Sequence, residues 1–118
     1  MIDEFEATPV RVEEGSAEFE ARAPAGLPYF DGHFDGAPVL PAVAQLEALV
    51  LPLCRAAWAD LGAPGRWLRL KFRRAIGPGS ALTVRLTRRT GSPVVEFAVA
   101  CEGEAASSGA ADFGGRAP

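Results

Sequence analysis

The chain has 118 residues, of which 48% are hydrophobic, and a formal net charge of −3. That length fits one domain over residues 1–118, with no internal linker or low-complexity run. The acidic balance, without aromatic residues interleaved among outward-facing cations, argues against nucleic acid as a target. No stretch reaches the roughly 18 apolar residues of a membrane span, and the acidic N-terminus lacks a basic segment followed by an apolar run, so a cytoplasmic protein is expected.

The charges are unevenly spread. Seven of the fifteen acids precede residue 21, and eight of the twelve cations lie between Arg66 and Arg89. Cys54 and Cys101 fit neither a disulfide framework nor a zinc site, which needs clustered Cys and His at short spacing, and are expected as buried free thiols. A chain this short leaves much of its surface exposed, so a sheet-rich fold gains by covering a face or an edge with a second copy.

In chain order, Ala17, Phe19, Ala21 and Ala23 alternate with Glu18, Glu20 and Arg22, the period of a half-buried strand. A loop rich in Pro, Gly and Asp runs from Pro24 to Leu40, and Pro41 suits the first turn of a helix. From Val43 to Leu61 the apolar positions 43, 46, 50, 53, 54, 57 and 61 recur at helical spacing. At about 100° per residue they gather on one side, and Glu47 falls within that side. Pro52 interrupts the pattern, because it removes the amide that would bond to Ala48 and predicts a bend or a free carbonyl.

After Gly62-Ala63-Pro64-Gly65, the run Leu68, Leu70, Phe72 alternates with Arg69, Lys71, Arg73, and Leu82, Val84, Leu86 alternates with Thr83, Arg85, Thr87. Gly77-Pro78-Gly79 turns between them. Val95, Phe97, Val99 and Cys101 mark a further strand, and a small-residue strand is expected from Ala105 to Phe113. One apolar helix lying on a curved antiparallel sheet of four or five strands, an α+β architecture, covers both apolar faces with the fewest elements.

The candidate chemistry gathers at residues 31–47. His33, the chain's one histidine, sits in the loop feeding the helix and is either a base near neutral pH or a structural residue bonded to nearby backbone. A carboxyl on an apolar helix side loses hydration, so Glu47 is expected to rise toward the range of a general acid, unless it reaches water or an arginine at the edge of the stripe. A calcium loop fails because its twelfth position would be Ala42. A serine hydrolase fails for want of a Gly-x-Ser-x-Gly turn.

The run Gly32-His33-Phe34-Asp35-Gly36-Ala37-Pro38-Val39-Leu40-Pro41-Ala42-Val43, with Glu47 following, closely resembles the signature of FabZ-type 3-hydroxyacyl-[acyl carrier protein] dehydratases. Phe72-Arg73-Arg74-Ala75-Ile76-Gly77-Pro78-Gly79 is similar to that family's later strand and turn, so the resemblance spans residues 29–102. The run Leu40 to Glu47 also resembles the short dehydratases of aryl polyene-type lipid pathways. Asp35 stands where the family has proline and Ala42 where it has glycine.

The resemblance implies a hotdog fold, with a curved antiparallel sheet wrapped around one central helix and a homodimer, or dimer of dimers, sharing a continuous sheet. It implies dehydration of a 3-hydroxyacyl thioester to the trans-2-enoyl thioester, with His33 as base and Glu47 as acid contributed by different subunits. The thioester oxygen would meet backbone N–H groups of Ala42, Val43 and Gly36. No metal or organic cofactor is implied. Leu46, Val50 and Trp58 are candidates for the acyl tunnel. Arg69, Lys71, Arg73 and Arg85 are candidates for docking an acyl carrier protein, with a coenzyme A thioester as the other substrate form. A hotdog acyl thioesterase and a non-catalytic acyl-binding subunit are the competing functions.

Overall fold

Alternating burial along the strands builds one sheet. In the computed structural model, which describes residues 5–24 and 39–114, the strands are β1 (Glu6–Val12), β2 (Ser16–Arg22), β3 (Arg66–Phe72), β4 (Ala81–Arg88), β5 (Val94–Cys101) and β6 (Glu104–Asp112). Neighbours are antiparallel in the order β1-β2-β4-β5-β6-β3. The period of two places Leu82, Val84 and Leu86 of β4 and Val95, Phe97, Val99 and Cys101 of β5 on one buried face. The helical segment lies against that face, and its Leu49, Val50, Leu53 and Cys54 join the strands in one hydrophobic core. The strands expected near residues 17–23, 68–73, 82–87, 95–101 and 105–113 all form.

Two strands depart from expectation. β1 is a sixth strand that the hydrophobic pattern does not announce. It sits at one sheet edge, is exposed at all positions but Ala7, and shifts register between Pro9 and Arg11, so neither face demands an apolar alternation. β3 occupies the opposite edge, and its expected inward set of Leu68, Leu70 and Phe72 is corrected by a bulge. Register shifts between Leu68 and Lys71, and Arg69 takes a positive φ of 51°. Residues opposite one another share a face. Trp67 stands across from Ala111, itself across from Val95, and meets Phe97 edge-on at 5.9 Å. Leu68 stands across from Ala110 and Glu96 on the outer face, whereas Phe72, beyond the bulge, aligns with Ser107 and Val99 on the inner one. The extra residue turns Leu68 outward and restores the inward phase at Phe72. Gly109 accommodates this crossing. Its φ is 156°, and a Cβ there would lie 2.7 Å from Leu70 Cδ2 and 3.0 Å from the Leu68 carbonyl oxygen.

The helix is a composite of α1 (Ala42–Ala44), a π-helical segment (Gln45–Val50) and α2 (Leu51–Ala57). It ends at Ala57 rather than Leu61, because Trp58 turns to an extended conformation while its N–H still donates to the Cys54 carbonyl. Arg55 caps the exit by donating to the carbonyls of Leu61 and Gly62 at 3.4 and 3.0 Å. The expected apolar side also needs correction. Buried residues recur in steps of four, as Gln45, Leu49, Leu53 and as Leu46, Val50, Cys54, while Val43 is 64% exposed and Glu47 is exposed with it. Glu47 therefore stands opposite the core, not within the buried stripe.

At the far end of the helix, Arg88 closes the molecule. Its guanidinium donates to both carboxylate oxygens of Asp60 at 2.9 and 2.8 Å and to the Ser92 carbonyl at 2.7 Å, and it lies over the Trp58 ring. Trp58 Nε1 donates to the Glu13 carbonyl at 3.1 Å, tying in the β1–β2 turn. Cys54 and Cys101 are free and buried, and burial pushes the Cys54 thiol up to about 12.

Candidate active site

The two motifs singled out in the sequence meet at the start of the helix. The Leu40 N–H donates to the Ile76 carbonyl at 2.8 Å, and both side chains are buried, so the segment entering the helix is tied to the turn that follows β3. That turn is itself held to the end of β2, since Gly79 N–H donates to the Ala23 carbonyl at 2.6 Å and Gly79 takes a φ of 79°, which suits glycine. Pro41, with φ −62° and ψ 153°, starts the helix, and its carbonyl receives the N–H groups of Ala44 and Gln45 at 3.1 Å each. The N–H groups of Ala42 and Val43 precede these first intrahelical bonds. They are the kind of donor that receives developing negative charge.

His33 and Gly36 lie outside the described residues. Of the expected site residues, the structure places Ala42, Val43 and Glu47 on the exposed side of the helical segment, one turn apart. A cavity of about 350 Å³ opens at the helix start, lined by Val39, Leu40, Ala42, Gln45, Phe72 and Arg73 among others; Val43 and Glu47 are not part of its lining. The free edge of β3 borders it through Phe72, which is 44% exposed.

Gln45 is the polar side chain here that the hydrophobic pattern does not flag, although an amide inside an apolar helix is itself a signal. It is 4% exposed and its Nε2 donates to the Leu40 carbonyl at 3.3 Å. A carbonyl only accepts, so this bond fixes the amide orientation and leaves Oε1 buried without a partner among the described residues. Ser107 Oγ, on β6 opposite Phe72, is likewise buried with no partner among the described residues.

Leu46, Val50 and Trp58 all belong to the core. Among the cations expected to dock a carrier, Arg69 pairs with Glu96 at 3.7 Å and Arg85 with Glu18 at 3.4 Å. Lys71 and Arg73 are exposed and form no ion pair among the described residues. A depression of about 240 Å³ on the outer sheet face is lined by Arg73, Arg85, Thr83 and Ser108 over a floor that includes Ala98 and Ala100. Among the described residues, no group of three or more His, Cys, Asp or Glu side chains is placed to hold a metal ion. No helix among them is long and apolar enough to cross a membrane.

Comparison with known proteins agrees with this architecture. Among solved structures, a chain of the dehydratase heterocomplex ApeI:P from Xenorhabdus doucetiae superposes with a TM-score of 0.77 at 22% identity, over 91% of this chain and 96% of that one. An uncharacterized protein from Erwinia carotovora subsp. atroseptica superposes at 0.74 with 28% identity, over 90% of each chain. A hypothetical thioesterase protein from Streptococcus pneumoniae shares the fold at 0.60 and 12% identity, over 89% of this chain and 83% of that one. These neighbours make the fold a hotdog. In sequence, the 3-hydroxyacyl-[acyl-carrier-protein] dehydratase FabZ of Jannaschia sp. (strain CCS1) is 35% identical over 74 residues, 56% of this chain and 46% of the relative. The FabZ of Acetivibrio thermocellus is 32% identical over 95 residues, 73% of this chain and 65% of the relative. The chain thus spans roughly half to two thirds of the length of these relatives. The family described as ApeI-like, ApeI dehydratase, matches residues 9–110, nearly the whole described chain. The chain belongs to the ApeI-like dehydratase family.

Proposed function

We propose that this chain dehydrates 3-hydroxyacyl thioesters to trans-2-enoyl thioesters, acting as a cytoplasmic homodimer on a substrate carried by an acyl carrier protein or coenzyme A. The observation that carries this reading is the position of Glu47. It stands on the helix face turned away from its own core, one turn from Ala42 and Val43, whose N–H groups precede the first intrahelical bonds. A carboxyl so placed acts as a general acid once a second subunit covers it and strips its water. Pairing of β3 with its counterpart in a second copy would join two six-stranded sheets into one and cover Leu70 and Phe72.

In the proposed chemistry, the imidazole of His33 removes a proton from the carbon next to the thioester carbonyl. Glu47, on the other subunit, gives its proton to the 3-hydroxyl. The C–H bond electrons form the new C2–C3 double bond as the C3–O bond breaks and water leaves. The N–H groups of Ala42, Val43 and Gly36 receive the charge that builds on the thioester oxygen. The thioester supplies the acidity of the carbon, and no metal or organic cofactor enters any step. Leu46 and Val50 are assigned to the acyl path, whereas Trp58, expected there as well, braces the far end of the core. Lys71 and Arg73, with Arg69 and Arg85 beside them, are assigned to the acidic carrier.

A 3-hydroxyacyl thioester incubated with the protein is expected to give conjugated enoyl absorbance without free thiol. Free thiol without the enoyl signal would make the chain a hotdog thioesterase, and neither signal would leave an acyl-binding subunit. His33→Ala and Glu47→Gln should each lower the dehydration rate by about 100-fold or more, the scale of general acid and base contributions. Full activity in either variant removes that residue from the mechanism. The Xenorhabdus neighbour belongs to a heterocomplex, so light scattering of this chain by itself should show a dimer if it pairs with its own kind.

A further inference from the structure

Pro52 is the sequence irregularity that the proposed chemistry does not use, and it lies at the junction where the helix changes its hydrogen bonding. The six residues Gln45–Val50 are π-helical, and the segment closes with the Leu51 N–H donating to the Leu46 carbonyl, five residues back. Pro52 follows at the first turn of α2, where a missing N–H is tolerated. In a continuous α-helix, position 52 would have to donate to the Ala48 carbonyl. Proline has no N–H, and its ring would press on that carbonyl. Widening the preceding turn relieves the clash and lets a new α-helix begin at Leu51.

The widening decides where Glu47 faces. Four residues of α-helix advance by about 400°, so residues spaced by four drift about 40° per step. Here Gln45, Leu49 and Leu53 stay buried and Val43, Glu47 and Arg55 stay exposed. A π turn takes up one residue more than an α turn and so cancels about 100° of drift. With α2 seated in the core by Leu53 and Cys54, an α register across 45–50 would turn the helix start, Val43 and Glu47 together, by about 100° relative to the core.

We propose that Pro52 is a positioning residue for Glu47: by forbidding the α register it maintains the π turn that aims this carboxyl at the mouth of the site. The inference rests on the dehydratase reading of Glu47 for its functional half and on the backbone for its structural half, and the two are tested separately. Pro52→Ala restores an N–H and a good helix former, so the fold should not lose stability. Its structure should show an α register across 45–52. Its kcat for dehydration should fall about 10- to 100-fold, the cost of a misplaced catalytic group. KM should stay within about threefold, as for a contact felt in the transition state. Combined with Glu47→Gln it should cause no further loss, because it acts through that carboxyl.

Retention of the π turn in Pro52→Ala overturns the proposal. So does an unchanged kcat, or an additive loss in the double variant. If the unmodified protein does not dehydrate, the dehydratase reading fails, and the register claim is then decided by the variant's structure, holding if the turn becomes α-helical and failing if it does not.

Discussion

The two ends of the helical segment are finished in different ways. At its C-terminal end, Trp58, Arg88, Asp60, Ser92 and Glu13 satisfy one another within a single chain, and the Arg88 side chain is 6% exposed though it carries a full charge. At its start, Val43 and Phe72 stand 64% and 44% exposed, Glu47 faces away from the core, and Gln45 Oε1 and Ser107 Oγ have no partner among the described residues. Buried polar groups are otherwise nearly always bonded. The contrast separates the part of the molecule that folding completes from the part that substrate and a second subunit complete.

That separation is broken most directly at the closed end. Trp58→Ala removes a core ring, the donor to the Glu13 carbonyl and the surface on which Arg88 lies, and should destabilise the chain by about 3–5 kcal/mol. Denaturant unfolding followed by far-UV circular dichroism measures this. A loss under about 1 kcal/mol, the range of ordinary surface changes, would show that the brace is ornamental and that the stability of this end comes from elsewhere.

The open end should respond in the opposite sense. Phe72→Ser alters a half-exposed side chain at the end of an edge strand, so the protomer should unfold within about 0.5 kcal/mol of the parent. Self-association should weaken by about tenfold or more, since about 1.4 kcal/mol of lost apolar contact is a factor of ten in Kd. Sedimentation velocity across a dilution series measures the second effect and urea unfolding at high dilution the first. Unchanged association would place the shared edge of the proposed dimer somewhere other than β3.

The closed end was largely legible in the sequence, because its strands alternate cleanly and alternation is what a sheet with one buried face demands. Leu82, Val84 and Leu86, and Val95, Phe97, Val99 and Cys101, face where the period of two puts them. Features that break a period were hidden. β1 is exposed on both faces and so has no pattern to read, and the bulge at Arg69 turns Leu68 outward in a run that looks regular. The same holds for the helix. A uniform 100° step places Val43 and Glu47 with the apolar side, and only the wide turn before Pro52 moves them to the other one. Of the candidate site, the two motifs holding Leu40 and Ile76, 36 positions apart, could be read in the sequence, but the backbone bond that brings them together could not. The exposure of Glu47 did not follow, because it depends on a turn geometry that residue types do not encode one at a time.

The finest distinction between the two ends is electrostatic. Hydrogen bonds from the Arg88 guanidinium hold the Asp60 carboxyl below the ordinary carboxylate value and outweigh the partial loss of water that pushes it up, and the same bonds push Arg88 up. A carboxyl whose folded value is depressed binds its proton more readily in the unfolded chain. Its contribution is therefore fully present above the unfolded value near about 4 and fades as pH falls through the lower folded value. Asp60 is mostly exposed, so the effect is small and screened by salt. Melting temperatures of the parent and Asp60→Asn should differ by a constant amount from neutral pH down to about 5, then converge on further acidification. Curves that stay parallel into acid would mean that the Asp60 charge does not support the brace, and that Arg88 is held by Ser92 and Trp58 without it.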